Sequence, residues 1–117
     1  MPIIGRSTKV EPVIYDDGKT VAGVEKRVLI GPANDAPTFA IRKFTLAPGG
    51  YTPHHKHPWE HGVYVLAGEG EIRSAEGSEP VSPGDFALVP PMEEHQFVNT
   101  GKEPFEFICV VPLAGEE

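Results

Sequence analysis

The sequence predicts an all-β chain of short strands, and three observations carry that expectation. No window sustains an amphipathic helical period, apolar residues alternate or run in short blocks, and turn-forming residues recur throughout. Thirteen glycines and thirteen prolines are spread over 117 residues, so helical patterns are interrupted before three turns accumulate. No stretch is repetitive, and the length suits one domain, residues 1–117, with one core and one site.

Taken in order, residues 21–30 form the first candidate strand, after the Asp16-Asp17-Gly18 turn. Residues 39–46 follow and run into Ala47-Pro48-Gly49-Gly50, read as a turn. Here the pairs Phe39, Ile41 and Phe44, Leu46 predict a switch of inward parity near Arg42 and Lys43, as a bulge or a two-faced sandwich would give. Residues 63–66 and 71–74 flank Gly68-Glu69-Gly70, and Glu76-Gly77-Ser78 closes the second of them. Ser82-Pro83-Gly84-Asp85 introduces residues 86–89, and Asn99-Thr100-Gly101 separates residues 96–99 from 105–111. In that last segment Phe105, Phe107, Cys109 and Val111 share one face, and the opposite face is also largely apolar, which predicts a central strand.

Charge narrows the partners. Residues 1–43 hold seven Lys/Arg against five Asp/Glu, whereas residues 44–117 hold three against twelve. The net charge of −7 repels phosphate backbones and anionic lipids, so neither nucleic acid nor membrane is an expected partner. The N-terminus carries no basic region followed by a long apolar run, no segment is long enough to cross a bilayer, and the single cysteine, Cys109, cannot form an internal disulfide. A soluble cytoplasmic protein is therefore expected.

Histidine placement carries the chemistry. Four of the five histidines, His54, His55, His57 and His61, fall within eight residues directly after a Pro-Gly-Gly segment. His55 and His57 are two apart, so on an extended strand both rings project from one face toward a common ion, and His61 keeps that parity if the chain stays extended or loops through Pro58 and Trp59. A fourth donor has to come from elsewhere in the chain, and His95 is the histidine that remains. Isolated histidines are usually surface or satisfied core groups. Three imidazoles buried unpaired on one face would be costly without a metal, which favours coordination by His55, His57, His61 and His95. His54 has the wrong parity and is expected to be exposed or to donate to a ligand from behind, and Glu60 alternates away from the ion.

These residues resemble a known family. Gly49, His55, His57, His61 and Gly68, separated by five, one, three and six residues, resemble the first cupin motif, with His61 where most members have Glu. Gly84, Pro90, His95 and Asn99 resemble the second motif, with Met92 in place of the usual Gly. The string His57-Pro58-Trp59-Glu60-His61 followed by Val63-Tyr64-Val65-Leu66 is similar to a branch of small single-domain cupins with a four-histidine centre. The resemblance implies a jelly-roll barrel with a conserved core over about residues 38–112. It implies manganese as a known occupant of the centre, and a homodimer to which residues 1–37 contribute strands. It does not fix a reaction, because the superfamily spans dioxygenases, isomerases, decarboxylases and binding proteins.

Four neutral imidazoles leave the full double positive charge on the ion, which raises Lewis acidity and favours a reduced state. Manganese, iron, nickel, copper and zinc all accept such a donor set to different degrees, and no organic cofactor is expected. Six-coordination leaves two positions open, as an enzyme requires, whereas tetrahedral coordination closes the site. Cys109, Phe107 and Trp59 are the candidates for lining the cavity, against the plain alternatives of a buried small hydrophobe and ordinary core or interface aromatics. The leading expectation is a metal-dependent enzyme on a small molecule, of the dioxygenase, peroxide-dependent oxidoreductase or isomerase class. The alternative is a non-catalytic ligand-binding barrel with a structural metal. An apolar N-terminal stretch, residues 10–15, and the two-faced last strand predict a homodimer that covers exposed sheet edges.

Overall fold

The computed structural model describes residues 1–116 and contains nine strands and three single 3-10 turns. The strands are β1 (Val13–Tyr15), β2 (Ala22–Ile30), β3 (Phe39–Tyr51), β4 (His61–Ala67), β5 (Gly70–Ser74), β6 (Gly77–Val81), β7 (Phe86–Val89), β8 (His95–Asn99) and β9 (Phe105–Pro112). All pairings are antiparallel, in the order β6-β5-β8-β3-β9-β4-β7, with β2 on β3 and β1 on β2. The result is a nearly closed all-β barrel, and no helix is long and apolar enough to cross a membrane.

Alternation builds the core. Along β9 Phe105, Phe107, Cys109 and Val111 are at most 1% exposed while the residues between them are half-buried, and the strand lies between β3 and β4. Its two-faced apolarity thus reflects a central position, and it presents no free edge to a partner. Phe107 stacks on Phe44 at 5.3 Å and on Phe97 at 4.6 Å, and Phe105 packs beside it at 5.2 Å.

Two expectations for β3 are corrected. Its parity does not switch at Arg42 and Lys43: Ala40, Arg42, Phe44 and Leu46 all face inward, while Phe39 is exposed. The irregularity lies in the pairing of β2 with β3, whose register shifts between Ala22 and Val24 and between Val28 and Ile30. Nor does the strand stop at Leu46. It continues through Ala47-Pro48-Gly49-Gly50, with Gly49 at φ +78°, so that residues 39–46 pair with β9 and Tyr51 reaches Val98 of β8.

Gly68 makes the turn between β4 and β5 at φ +80°, and a Cβ there would fall 2.2 Å from the Pro104 carbonyl oxygen, so only glycine fits. Asn99 holds the loop before β9: its side-chain amide donates to the Leu46 and Glu103 carbonyls, and its Oδ1 accepts from Gly101 N–H. The two strands that sequence patterning left out, β1 and β6, are short, almost wholly exposed and without the alternation that marks a core strand.

Candidate metal centre

The histidines reach one place from three segments. His55 and His57 lie on the loop between β3 and β4, His61 begins β4 and His95 begins β8. An isolated bridge pins the loop to β8, with His55 N–H donating to the His95 carbonyl at 3.1 Å and His95 N–H to the His55 carbonyl at 2.9 Å. Met92 N–H also donates to the His57 carbonyl, which ties the segment before β8 to the same loop.

One nitrogen from each of His55, His57 and His95 falls within 4.8 Å of the others, a group able to hold a metal ion. The His55 and His57 Nε2 atoms are 3.2 Å apart. His61 lies beside this trio without joining it at that distance: its ring is 4.8 Å from the His95 ring and 5.2 Å from the His57 ring, centre to centre. Its Nδ1 lies 3.2 Å from the Cys109 sulfur, and its Nε2 is buried with no hydrogen-bond partner. An orphaned imidazole nitrogen beside three converging ones is what a metal site looks like in protein atoms alone, so the donor set fits a divalent ion.

Backing contacts orient the rings. The His95 Nδ1 is 3.0 Å from the Glu93 carbonyl, which leaves Nε2 as the donor. The His57 ring stacks on Trp59 at 4.9 Å and 8°. His54 points away and meets Glu94 at 2.9 Å, in line with its parity, and Glu60 is exposed.

Burial and mutual proximity keep these rings neutral, as ligands require. Desolvation, followed by the neighbouring histidines, pulls His55 down to about 4. Desolvation with His95, Arg42 and the other histidines takes His61 down to about 3, and desolvation lowers His57 and His95 as well. Because their folded values lie below the ordinary 6.5, the unfolded chain takes up protons first as pH falls. The stability these rings contribute to the metal-free protein should therefore be fully present above about pH 6.5 and be lost between there and about pH 3, with a slope approaching 1.4 kcal/mol per pH unit for each buried ring. Buried His61 carries the largest share, since solvent screens the more exposed His55. Urea unfolding of chelator-treated protein at a series of pH values measures this, and a flat profile would show that the rings protonate without cost.

The rings open onto a cavity of about 250 Å³ whose wall includes Val24, Phe44, Thr52, Trp59, Phe97 and Cys109. Phe107 lies one layer behind that wall, fully buried against Phe44 and Phe97, which are the aromatics that face the cavity from the strands. Two cations also line it: Lys26 and Arg42, whose partner is Glu116. Sequence reading passed over them, although Arg42 between Ala40 and Phe44 and Lys26 between Val24 and Val28 occupy inward positions on strands of otherwise apolar alternation. Cys109 joins the two halves, with its sulfur 3.1 Å from an Arg42 nitrogen, and burial pushes its thiol up despite that cation.

The antiparallel strands thus form a nearly closed barrel, and the residues lining its cavity include a histidine cluster that could hold a metal ion. Residues 42–111 match the Cupin domain family, and the chain belongs to it. Cupins commonly bind metals and small-molecule substrates.

The polyketide cyclase RemF from Streptomyces resistomycificus superposes with a TM-score of 0.88 at 30% identity, over 97% of this chain and 80% of that one. A predicted oxalate decarboxylase from Thermotoga maritima superposes with a TM-score of 0.84 at 27% identity, over 95% of this chain and 99% of that one. In sequence, the chain is 32% identical over 112 residues to glucose-6-phosphate isomerase from Thermococcus gammatolerans, covering 87% of this chain and 56% of the relative. The chain spans about half the length of the curated relatives it matches.

Proposed function

We propose that the chain is a divalent transition-metal cupin whose four imidazoles, His55, His57, His61 and His95, hold one ion at the end of the cavity, and that it acts as an enzyme on a small molecule bound there. The observation that carries this reading is the buried, partnerless Nε2 of His61 beside three histidines whose nitrogens already converge. Manganese is the first occupant to test, ahead of iron, nickel, copper and zinc.

Such an ion supplies Lewis acidity and, if redox-active, electron transfer. The chain's own part is to keep the rings neutral by desolvation and mutual proximity, to fix His95 through Glu93 and His57 through Trp59, and to surround the substrate with Phe44, Phe97 and Val24, which exclude water. The reaction classes this supports are isomerisation and oxidation with dioxygen or peroxide. The related chains named as an isomerase, a cyclase and a decarboxylase favour catalysis on a small organic molecule.

Azide or nitric oxide added to the metal-loaded protein should perturb the spectrum of the ion, because four protein donors leave six-coordination incomplete. An unchanged spectrum would point to a closed, structural ion and to the second reading, a non-catalytic ligand-binding barrel. That reading draws support from the make-up of the cavity wall, where the histidines are accompanied by the Cys109 thiol, pushed up by burial, the Tyr15 phenol and a Lys26 paired with Glu116, while the Glu116 carboxylate nearby is held by two cations.

We further propose that two copies associate. Every residue of β1 is exposed although Val13, Ile14 and Tyr15 are apolar, and on the outer face of β4 and β7 Tyr64, Leu66, Phe86 and Leu88 are 43% to 81% exposed. Covering these with a second chain through the N-terminal strands predicts twice the monomer mass in light scattering, and a monomer would refute it. The lone thiol suits a reducing compartment such as the cytoplasm.

A further inference from the structure

Lys26 and Arg42 of the cavity wall and Glu116 form a second cluster of charged side chains beside the histidines. Its carboxylate is gripped from two strands: Oε1 accepts from an Arg42 terminal nitrogen at 2.9 Å, and Lys26 Nζ donates to Oε2 at 2.9 Å and to Oε1 at 3.2 Å. All three side chains are at most 13% exposed. Both cations belong to the barrel wall, whereas the carboxylate comes from the 3-10 turn Leu113–Gly115 and the residue after it. Two buried cations facing a substrate-sized cavity are expensive when unpaired, and here one anion beside a short 3-10 turn satisfies both.

Both cations also have contacts besides Glu116. Arg42 is held independently, with Nε donating to the Cys109 carbonyl at 3.3 Å and a second terminal nitrogen donating to the Cys109 sulfur at 3.1 Å. Lys26 sits 5.6 Å from the centre of the Tyr15 ring. The guanidinium is also one thiol away from the histidines, through Cys109 to His61 Nδ1 at 3.2 Å.

We propose that Lys26 and Arg42 are the recognition site for the carboxylate of a small aromatic acid, and that Glu116 fills it as an internal stand-in, which the substrate displaces. This rests on the reading of the cavity as a substrate chamber and names the substrate class. A carboxylate is specified by the present occupant, whose two oxygens fit the fork of Arg42 and the ammonium of Lys26. An aromatic body is specified by the wall, where Phe44, Phe97 and Trp59 face a space of about 250 Å³, below the usual range for drug-sized ligands and suited to a single ring. Displacing Glu116 frees the turn that covers the pair, so binding and opening are one event.

The molecule carries its own reporter. Trp59 is the single tryptophan, and a Cβ built on Gly115 would lie 2.9 Å from its indole nitrogen, so movement of the turn changes the surroundings of that ring. Benzoate is titrated into chelator-treated protein while Trp59 fluorescence is followed, with inorganic phosphate as the comparison anion. Wild type should give a weak saturable change. Glu116→Gln, which removes the competing charge, should bind benzoate at least about tenfold tighter and gain more melting temperature from it than wild type does. Adding Lys26→Met to that variant should cancel the gain.

If Glu116→Gln gives no cooperative melt, Glu116→Asp replaces it, drawing the carboxylate back by one methylene and tightening benzoate by at least about threefold. The proposal is overturned if the Glu116 variant that folds binds benzoate no tighter than wild type, if Lys26→Met leaves the gain intact, or if phosphate binds as tightly as benzoate throughout. Because the protein is metal-free, these outcomes do not depend on whether the histidines hold an ion. Failure here with a filled metal site removes the carboxylate site alone.

Discussion

Protein purified without a histidine tag or added metal should carry close to one equivalent of a transition metal by elemental mass spectrometry, and the double variant His57→Ala, His95→Ala should carry none. The two rings come from different segments, the loop after β3 and the start of β8, so the double change removes both anchors of the trio. Loss of even a group that only orients a ligand weakens metal binding by about 10- to 100-fold, so each single alanine should exceed that and the pair should abolish retention through purification. His61→Ala is the finer test. If His61 completes the donor set, its loss costs affinity on the same scale, and if three histidines suffice the equivalent stays. Absence of metal from wild type even after reconstitution would remove the centre and leave a ligand-binding barrel.

Phe107→Ala should cost roughly 3–5 kcal/mol in urea unfolding, about 12–20 °C in melting temperature for a chain of this size. The side chain is fully buried and touches Phe44, Phe97 and Phe105, which descend from β3, β8 and β9, so truncation opens a void shared by strands from across the barrel. Two of these neighbours, Phe44 and Phe97, face the cavity on their other side. The substitution should therefore also loosen the chamber, whereas a loss under about 1 kcal/mol would show that the wall collapses to fill the gap.

Much of this architecture is legible from local pattern. The alternation of Phe105, Phe107, Cys109 and Val111 identifies a central strand without any alignment, because both faces of such a strand must be apolar. Clustering of His55, His57 and His61 after a Pro-Gly-Gly segment marks the candidate site, since few folded contexts tolerate so many neutral rings together. What escaped has a common cause. Pro48, Gly49 and Gly50 read as a turn, yet they sit inside β3, where its length and bend are set by two different partner strands. Arg42 and Lys26 face the interior because Glu116, 74 and 90 residues away in sequence, neutralises them, and no local window contains that fact. The apparent parity switch at Arg42 arose from treating an inward charge as an outward one.

The position of β9 bears on how the barrel comes into being. It is the last strand among the described residues, yet it lies between β3 and β4 and joins them. A ribosome releasing this chain at about 5–20 residues per second delivers eight strands before the one that unites them, so β3 and β4 wait with open edges for seconds. Nearly all the pairings that close the barrel are distant in sequence, which places folding on the slow side for a domain of this size. The proposed four-histidine pocket would not assemble earlier, because β4, which carries His61, is seated on β9. Ion capture at such a pocket would be deferred until β9 has been made, and a nascent or truncated chain without residues 105–112 should bind no metal in the manner proposed for the finished barrel.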